Sequence, residues 1–352
     1  MHLKTIEYYI KQIKFVSSKF SKCKKMLEKG KYKLLSSLRV VLLNETWVEE
    51  LGTKYFGGME GGKTSARVAN IVNKFGILKN NKSKHNLYQA MYIANNDNKD
   101  REVKLFSFNK KKIMTICVSK EDYDKQFEIY NSLSKNHNMP RIIPIEEYPN
   151  SYEISMIQIE ERPTASEVLY EISKSTILQG YNNQKVSIKE IVNADYDSTD
   201  LNAILKKLSA YINPEVLKLS IPLSTQHGDL SMDNLLYGEA EGRKGFWWID
   251  WEHVGDRIFC YDYFFYILNS AKWSNNLETL QSYFSGEADD GLKDMFNSFG
   301  LAYEEKYRLD YFLMAVICIL KERVCKLGYV ETLKEYYEFI QVNVLNKFQD
   351  KD

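Results

Sequence analysis

The sequence predicts an α+β fold of two lobes, a β-rich one first and a mainly helical one after it. Residues 102–108 largely alternate apolar and polar side chains, and residues 112–118 do so less cleanly, around Asn109-Lys110-Lys111, the pattern of a β-hairpin. Residues 152–159 read as a further strand. Beyond Pro163 the apolar residues recur at helical spacing, through Val168, Leu169 and Ile172 and then over residues 201–217. Strands gathered in one half and helices in the other argue against an alternating, doubly wound sheet.

Taken in order, residues 1–50 read as a basic helical N-terminal extension. Ile6, Tyr9, Ile10, Ile13 and Val16 recur at helical spacing with lysines between them. Residues 1–40 hold 11 Lys or Arg against Glu7 and Glu28. Two readings compete for this segment. Its apolar side docks on the body of the protein, or it rests as a basic amphipathic element on anionic lipid. A first lobe follows over residues 51–160, opening on the glycine-rich stretch Gly57-Gly58-Met59-Glu60-Gly61-Gly62-Lys63-Thr64. It includes the hairpin and then a helix over residues 123–133 carrying Phe127, Ile129, Tyr130 and Leu133. The helical second lobe spans residues 161–352. Its run Phe264-Phe265-Tyr266 and the helix over 310–325 read as core.

Composition removes several classes. The chain has 352 residues and is 44% hydrophobic, enough to bury a sizeable core. A net charge of +1 gives no support to a nucleic-acid binder. Five cysteines, odd in number and without a C-x-x-C pair, fit reduced thiols in the cytoplasm better than a disulfide frame or a zinc site. The first ten residues lack a secretory h-region, and the best apolar run, residues 311–320, is too short to span a bilayer. The expectation is a cytoplasmic protein, at the inner face of the membrane if the basic segment rests on lipid.

The chemistry concentrates in His227-Gly228-Asp229-Leu230-Ser231-Met232-Asp233-Asn234-Leu235-Leu236 and in the apolar run Phe246-Trp247-Trp248-Ile249 that ends on Asp250. Phosphoryl transfer to a hydroxyl needs one carboxylate near the acceptor and ligands that hold Mg²⁺ against the phosphates. Mg²⁺ is a hard ion that takes oxygen ligands, usually one or two carboxylates completed by phosphates and waters. Asp229, Asn234 and Asp250 supply that set. Gly228 permits the tight turn that projects Asp229, and a buried strand delivers Asp250 at its end. His227 braces the loop rather than acting as a base.

The segment resembles the H-G-D-x-x-x-x-N loop of aminoglycoside phosphotransferases, choline kinases and related small-molecule kinases of protein-kinase-like fold. Ile249-Asp250-Trp251-Glu252 resembles their I-D-[FW]-E element. Gly255 and Asp262 resemble their G-x-x-x-x-x-x-D-L stretch, with Tyr263 in place of the leucine. The resemblance implies Asp229 as catalytic carboxylate, Asn234 and Asp250 as metal ligands, and Asp262 as a structural partner of the loop. It implies ATP and Mg²⁺ as cofactors and a small molecule or sugar as acceptor: an amino sugar, a choline-like alcohol or a cell-envelope glycan. Glu252 and Trp251 are candidates to touch it, a cationic acceptor calling for carboxylates or aromatic faces. Asp256, Glu287, Asp289 and Asp290 could supply further acid, and Trp273 and Tyr283 further aromatic surface. The strand before Pro163 resembles the family's adenine-binding strand and hinge, with the backbone of Ile157 and Ile159 as the adenine contacts.

The first lobe matches less closely. A strand lysine meeting the phosphates and a helix glutamate are expected there. Glu128 suits the glutamate. Lys104 suits the lysine, unless the hairpin forms the second and third strands, when Thr115 or Cys117 stands in its place. Gly57, Gly58, Gly61 and Gly62 resemble the family's phosphate-covering loop, to which Lys63 adds charge. The stretch Gly57–Thr64 also fits the Walker A pattern, which requires a buried strand before it and a helix after it. A P-loop NTPase and a non-catalytic binding protein of the same fold are therefore the alternatives.

Overall fold

In the computed structural model, the described residues are 3–56, 61–81, 87–94, 102–326, 328, 330 and 332–346. The chain divides into two compact units. The first comprises Met1–Ser132, Pro140–Gln158 and Ala240–Arg243, and the second Leu133–Met139, Ile159–Glu239 and Lys244–Asp352.

The first unit is built on an eight-stranded sheet. Its strands are β1 (Gly30–Leu34), β2 (Val40–Leu43), β3 (Lys79–Asn80), β4 (Ala90–Ile93), β5 (Val103–Ser107), β6 (Lys112–Ile116), β7 (Ile143–Pro144) and β8 (Ser151–Ser155), in the order β3-β1-β2-β4-β5-β6-β8-β7. Neighbours run antiparallel throughout. The predicted hairpin is β5 and β6, closed at Ser107↔Lys112, with Lys111 at a φ of 51° in the turn. Its register places Tyr92, Lys104, Thr115 and Tyr152 in one cross-strand row.

Helices α1 (Leu3–Cys23), α2 (Thr46–Phe56), α3 (Lys63–Lys74) and α4 (Lys120–Leu133) accompany the sheet. Val16, Phe20 and Cys23, spaced by four and three residues, bury one face of α1, and Phe20 meets Tyr32 edge-on at 5.0 Å. On α4, Tyr123 and Phe127 pack against Tyr152, with ring centroids 6.4 Å and 6.1 Å away.

The expectation of helix as far as residue 50 fails over β1 and β2. Lys31-Tyr32-Lys33-Leu34 alternates with period two, so a strand sorts Tyr32 and Leu34 inward as a helix could not. Val40-Val41-Leu42-Leu43 is buried at every position, the mark of a central strand covered on both faces. The single strand expected over 152–159 is two, β8 and β9 (Gln158–Ile159).

The second unit is mainly helical. Its helices are α5 (Ala165–Gln179), α6 (Ile188–Asn193), α7 (Thr199–Ser209), α8 (Pro214–Leu217), α9 (Tyr261–Trp273), α10 (Glu278–Ser285), α11 (Asp289–Ser298), α12 (Arg308–Cys325) and α13 (Leu333–Ile340). A capping box starts α5: the Thr164 hydroxyl accepts from Glu167 N–H while the Glu167 carboxylate accepts from Thr164 N–H. Helices α9 and α12 are apolar nearly all round and form the core. Among these helices lie the short strands β10 (Lys185–Ser187), β11 (Ser220–Gln226), β12 (Leu235–Ala240), β13 (Arg243–Trp248) and β14 (Gly255–Ile258). Strand β11 pairs with both β10 and β14, while β12 lies between β13 and β9. Residues 227–234 are the connection from β11 to β12, which positions the site.

Candidate active site

The connection is held from several sides. Gly228 sits at a φ of 83°, and a Cβ there would lie 2.4 Å from the Arg257 guanidinium carbon. Glycine is required on both counts, for the left-handed backbone and for the close approach. Asp262, in the first turn of α9, accepts from His227 N–H at 2.6 Å and Gly228 N–H at 2.9 Å. Burial pushes its carboxyl up from the ordinary range, opposed chiefly by His227 and the Gly228 N–H. The His227 ring bridges two strand ends. Its Nε2–H donates to the Ile249 carbonyl at 2.8 Å, and its Nδ1 accepts from Asp229 N–H at 3.3 Å, a pairing that assigns the tautomer.

Asn234 is tied to both halves of the site. Its side-chain amide nitrogen donates to the Asp229 backbone carbonyl at 2.8 Å, and its backbone carbonyl accepts from Ile249 N–H at 3.0 Å. The side-chain amide oxygen is the atom of Asn234 that could take a cation. Asp250 follows at a φ of 63°. A non-glycine residue in that conformation carries strain of about 1–3 kcal/mol, which the surrounding structure must hold. Among the described residues no cluster of three or more His, Cys, Asp or Glu side chains forms a metal site. Mg²⁺ does not need one, because one amide oxygen and one carboxylate leave room for phosphates and water.

The Asp229 carboxyl is raised from its ordinary range by burial. Arg323, His253 and His227 pull it back, and Asp250 raises it further. The Arg323 guanidinium, from α12, stands 3.5 Å from Asp229 Oδ1 and lies over the Phe265 ring at 5.2 Å. The preceding residue, Glu322, holds Arg257 at 2.6 Å, both side chains being buried. Arg257 in turn donates to the carbonyls of His253 and Gly255 and stacks on Tyr261. Arg162 donates to the carbonyls of Met232 and Leu235, pinning the far side of the loop.

Arg162, Arg257, Glu322 and Arg323 did not emerge from the sequence as site residues. The one available signal was the Lys321-Glu322-Arg323 run near the end of a largely apolar helix, where basic residues ordinarily serve the helix C-terminus. Trp251 is not available to a ligand. It is 1% exposed and packs against His137, His227 and Trp248, so it holds the loop from within. Glu252 is exposed, with His253 at 3.7 Å.

In the sheet unit, Lys104 lies on β5 and pairs with Glu102 at 3.0 Å. Glu128 is on the exposed side of α4. The strand that runs directly into α4 is β6, with buried Thr115 opposite Lys104. Lys104 therefore lies on the strand beside the one that runs into α4, and it pairs with Glu102 there. Gly57 and Gly58 lie outside the described residues. The Gly61 N–H donates to Ser36 Oγ at 3.1 Å, Gly62 caps α3, and Lys63 is the exposed first residue of that helix. Helix α2, not a strand, precedes the stretch, which removes the P-loop alternative. The Ile157 carbonyl accepts from the Tyr55 hydroxyl at 3.0 Å, and Ile159 lies in β9.

No family model and no curated protein matches the chain. Solved structures do resemble it. The GDP complex of wild-type aminoglycoside 2'-phosphotransferase-IIIa is 12% identical, covering 74% of this chain and 94% of that one, at a TM-score of 0.43. Amicoumacin kinase hAmiN in complex with AMP-PNP, Ca²⁺ and Ami is 11% identical, covering 72% and 88%, at 0.41. A choline/ethanolamine kinase family protein from Mesorhizobium loti is 9% identical, covering 70% and 84%, at 0.38. The chain itself is α+β, with its sheet-rich part first and its helical part after.

Proposed function

We propose that the protein is a phosphotransferase that moves the γ-phosphoryl group of ATP to a hydroxyl of a small molecule or sugar. One observation carries this reading. Asp229, Asn234 and Asp250 are locked together, because Asn234 bonds the Asp229 backbone on one side and the residue before Asp250 on the other. That arrangement serves a reaction whose catalysis is mostly positioning and electrostatics.

The Asp229 carboxylate orients the acceptor hydroxyl and takes its proton. A bond forms between the acceptor oxygen and the γ-phosphorus. The bond from that phosphorus to the β–γ bridging oxygen breaks, and its electron pair leaves on ADP. Asn234 Oδ1 and the Asp250 carboxylate would hold Mg²⁺, which when bound neutralises charge on the phosphates. Lys104, oriented by Glu102, is assigned to the nucleotide phosphates. The backbone at Ile157 and Ile159 is assigned to the adenine, the Ile157 carbonyl also accepting from the Tyr55 hydroxyl.

The setting is a proposal of the same kind. Free cysteines and the absence, among the described residues, of a helix able to cross a membrane accord with a cytoplasmic protein. Helix α1 keeps Lys11, Lys14 and Lys22 exposed along one stripe beside exposed Ile6 and Ile10, while its other face is buried. That arrangement suits contact with an anionic bilayer.

The test is thermal stability with ATP, alone and with Mg²⁺, in the wild type and in Asp250→Ala. Nucleotide at 100 times its dissociation constant adds about 2.7 kcal/mol. A Mg²⁺-dependent rise in the wild type that Asp250→Ala loses is the expected result. Equal rises in both proteins, or none in either, reject the assignment. Asp229→Asn should keep the rise and lose turnover by about 10²–10⁴-fold. Nucleotide binding with no ADP formed on any acceptor is the outcome of the binding-protein alternative.

A further inference from the structure

The sheet unit carries a surface that the proposed reaction does not use. The chain as a whole is balanced, with 48 Lys or Arg against 47 Asp or Glu, yet residues 61–96 hold six Lys or Arg and no Asp or Glu. This acid-free run includes α3, the turn after it and the edge strand β3. Strand β3 pairs with β1 so that Lys79 stands directly opposite Lys31, and both side chains are exposed. Like charges opposed across a strand pair destabilise a sheet. Of the carboxylates near β1, Glu49 is held by Lys33 and Glu28 by the Gln89 amide. The sheet edge therefore keeps two lysines side by side against its own electrostatics.

Beside that edge three apolar side chains face water. Ile71 and Phe75, four residues apart on one stripe of α3, are 56% and 74% exposed, and Ile77 in the following turn is 50% exposed. The backbone beneath them is fixed. Gly76 has a φ of 59°, its N–H donates to the Asn73 carbonyl at 3.1 Å, and Ile77 N–H donates to the Val72 carbonyl at 3.4 Å. The Asn73 side chain accepts from Leu34 N–H at 2.7 Å and donates to the Leu34 carbonyl at 3.0 Å, which pins the end of α3 to β1. In a helix ending of this kind the residue after the glycine ordinarily packs back on the helix. Here Ile77 points out with Phe75, and exposed Lys74 and Lys79 flank them. A clustered apolar patch with a charged rim marks an interaction surface.

We propose that the end of α3 and the edge formed by β1 and β3 dock on an anionic lipid bilayer. Ile71, Phe75 and Ile77 enter the boundary between headgroups and acyl chains, while Lys31, Lys74 and Lys79 meet the lipid phosphates. The phosphates supply the counter-charge that the opposed lysines lack within the sheet. Nucleic acid would satisfy the lysines but has no apolar layer to receive two isoleucines. The inference deepens the membrane setting proposed for α1, yet it uses none of the α1 residues and stands without them.

The experiment is co-sedimentation of the full chain with phosphatidylcholine vesicles, with and without phosphatidylserine. Wild type should bind the anionic vesicles at least tenfold more tightly than the neutral ones. Phe75→Ser with Ile77→Ser should weaken that binding at least tenfold. Lys31→Gln, Lys74→Gln and Lys79→Gln together should weaken it about a hundredfold, each lysine near such a surface contributing a factor of about five. Neither variant should melt much earlier than wild type, and the lysine variant, freed of its like-charge pair, should melt no earlier at all. In Phe75→Trp, brominated acyl chains should quench emission beyond the quenching of wild type. Undiminished binding by either variant, equal binding of wild type to neutral vesicles, or no added quenching in Phe75→Trp overturns the proposal. So does a dimer that Phe75→Ser abolishes, which would give the patch to a second copy, or preferential capture on DNA. Lys11→Glu, Lys14→Glu and Lys22→Glu together separate the two surfaces. Binding lost in that variant and kept in both α3 variants rejects this surface and retains α1, and the reverse result retains this surface and rejects α1.

Discussion

Gly228 shows how one residue commits a loop. Its left-handed backbone would cost an alanine about 1–2 kcal/mol. The added Cβ would also press on Arg257, whose guanidinium is fixed by Glu322 and by backbone carbonyls. Gly228→Ala should therefore lower the melting temperature by more than the backbone term alone and reduce turnover, since His227 and Asp229 move with the turn. A variant with wild-type melting behaviour and full ADP release would show that the contact is slack. The neighbouring requirements were legible locally. The order His, Gly, Asp and a later Asn carries the atoms that the proposed phosphoryl transfer calls for. The strained φ of Asp250 was not legible, because nothing in Trp248-Ile249-Asp250-Trp251 marks a left-handed residue in the way a glycine would.

At the scale of elements, α1 and β5 bear most on function. The buried face of α1 packs on the first unit's core, so removing residues 1–40 would also remove β1 and the first residue of β2. Charge reversal is the sound test of lipid contact. Co-sedimentation with vesicles containing phosphatidylserine should fall about a hundredfold or more for Lys11→Glu, Lys14→Glu and Lys22→Glu together, since each lysine near such a surface is worth about 1 kcal/mol. Undiminished binding by the triple variant, or equal binding of wild type to neutral vesicles, would sink the idea. Capture on DNA instead of vesicles would assign the stripe to another polyanion. The placement of Lys104 is also decided at this scale. Its alternation with Val103 and Leu105 made β5 readable as a strand. Which strand runs into α4 depended on β6 and the helix being consecutive, so the lysine arrives across the ladder, opposite Thr115.

Across the whole molecule, acid sensitivity should trace to one buried histidine. The His137 ring lies between Trp248 and Trp251, with Ser175 Oγ against Nδ1. Burial first, and His227 second, push its pKa down from 6.5 to about 3. The fold therefore requires the neutral ring. Its contribution is complete above pH 6.5 and is lost as pH falls from 6.5 towards 3, because the unfolded chain takes up the proton first. At pH 5 the loss is about 2 kcal/mol. Urea unfolding at pH 7 and pH 5 should show wild type losing about that much more stability than His137→Gln. Parallel losses in the two proteins would mean that other groups govern the acid limb.

Local patterns of residues were enough for the α+β division, the hairpin at Lys111, the helical character after Pro163 and the loop carrying Asp229 and Asn234. Each of these depends on residues a few positions apart, where periodicity and turn chemistry act. The fate of Gly30–Leu34 and Val40–Leu43 as strands was settled by tertiary structure, because the short local pattern acts only once a core assembled from distant segments receives it. Tertiary structure also brought Arg323 beside Asp229 and Glu322 to Arg257 beneath Gly228. Those pairs are joined by helix packing across long stretches of chain, and no local pattern of residues encodes a contact whose partners meet only when the core closes.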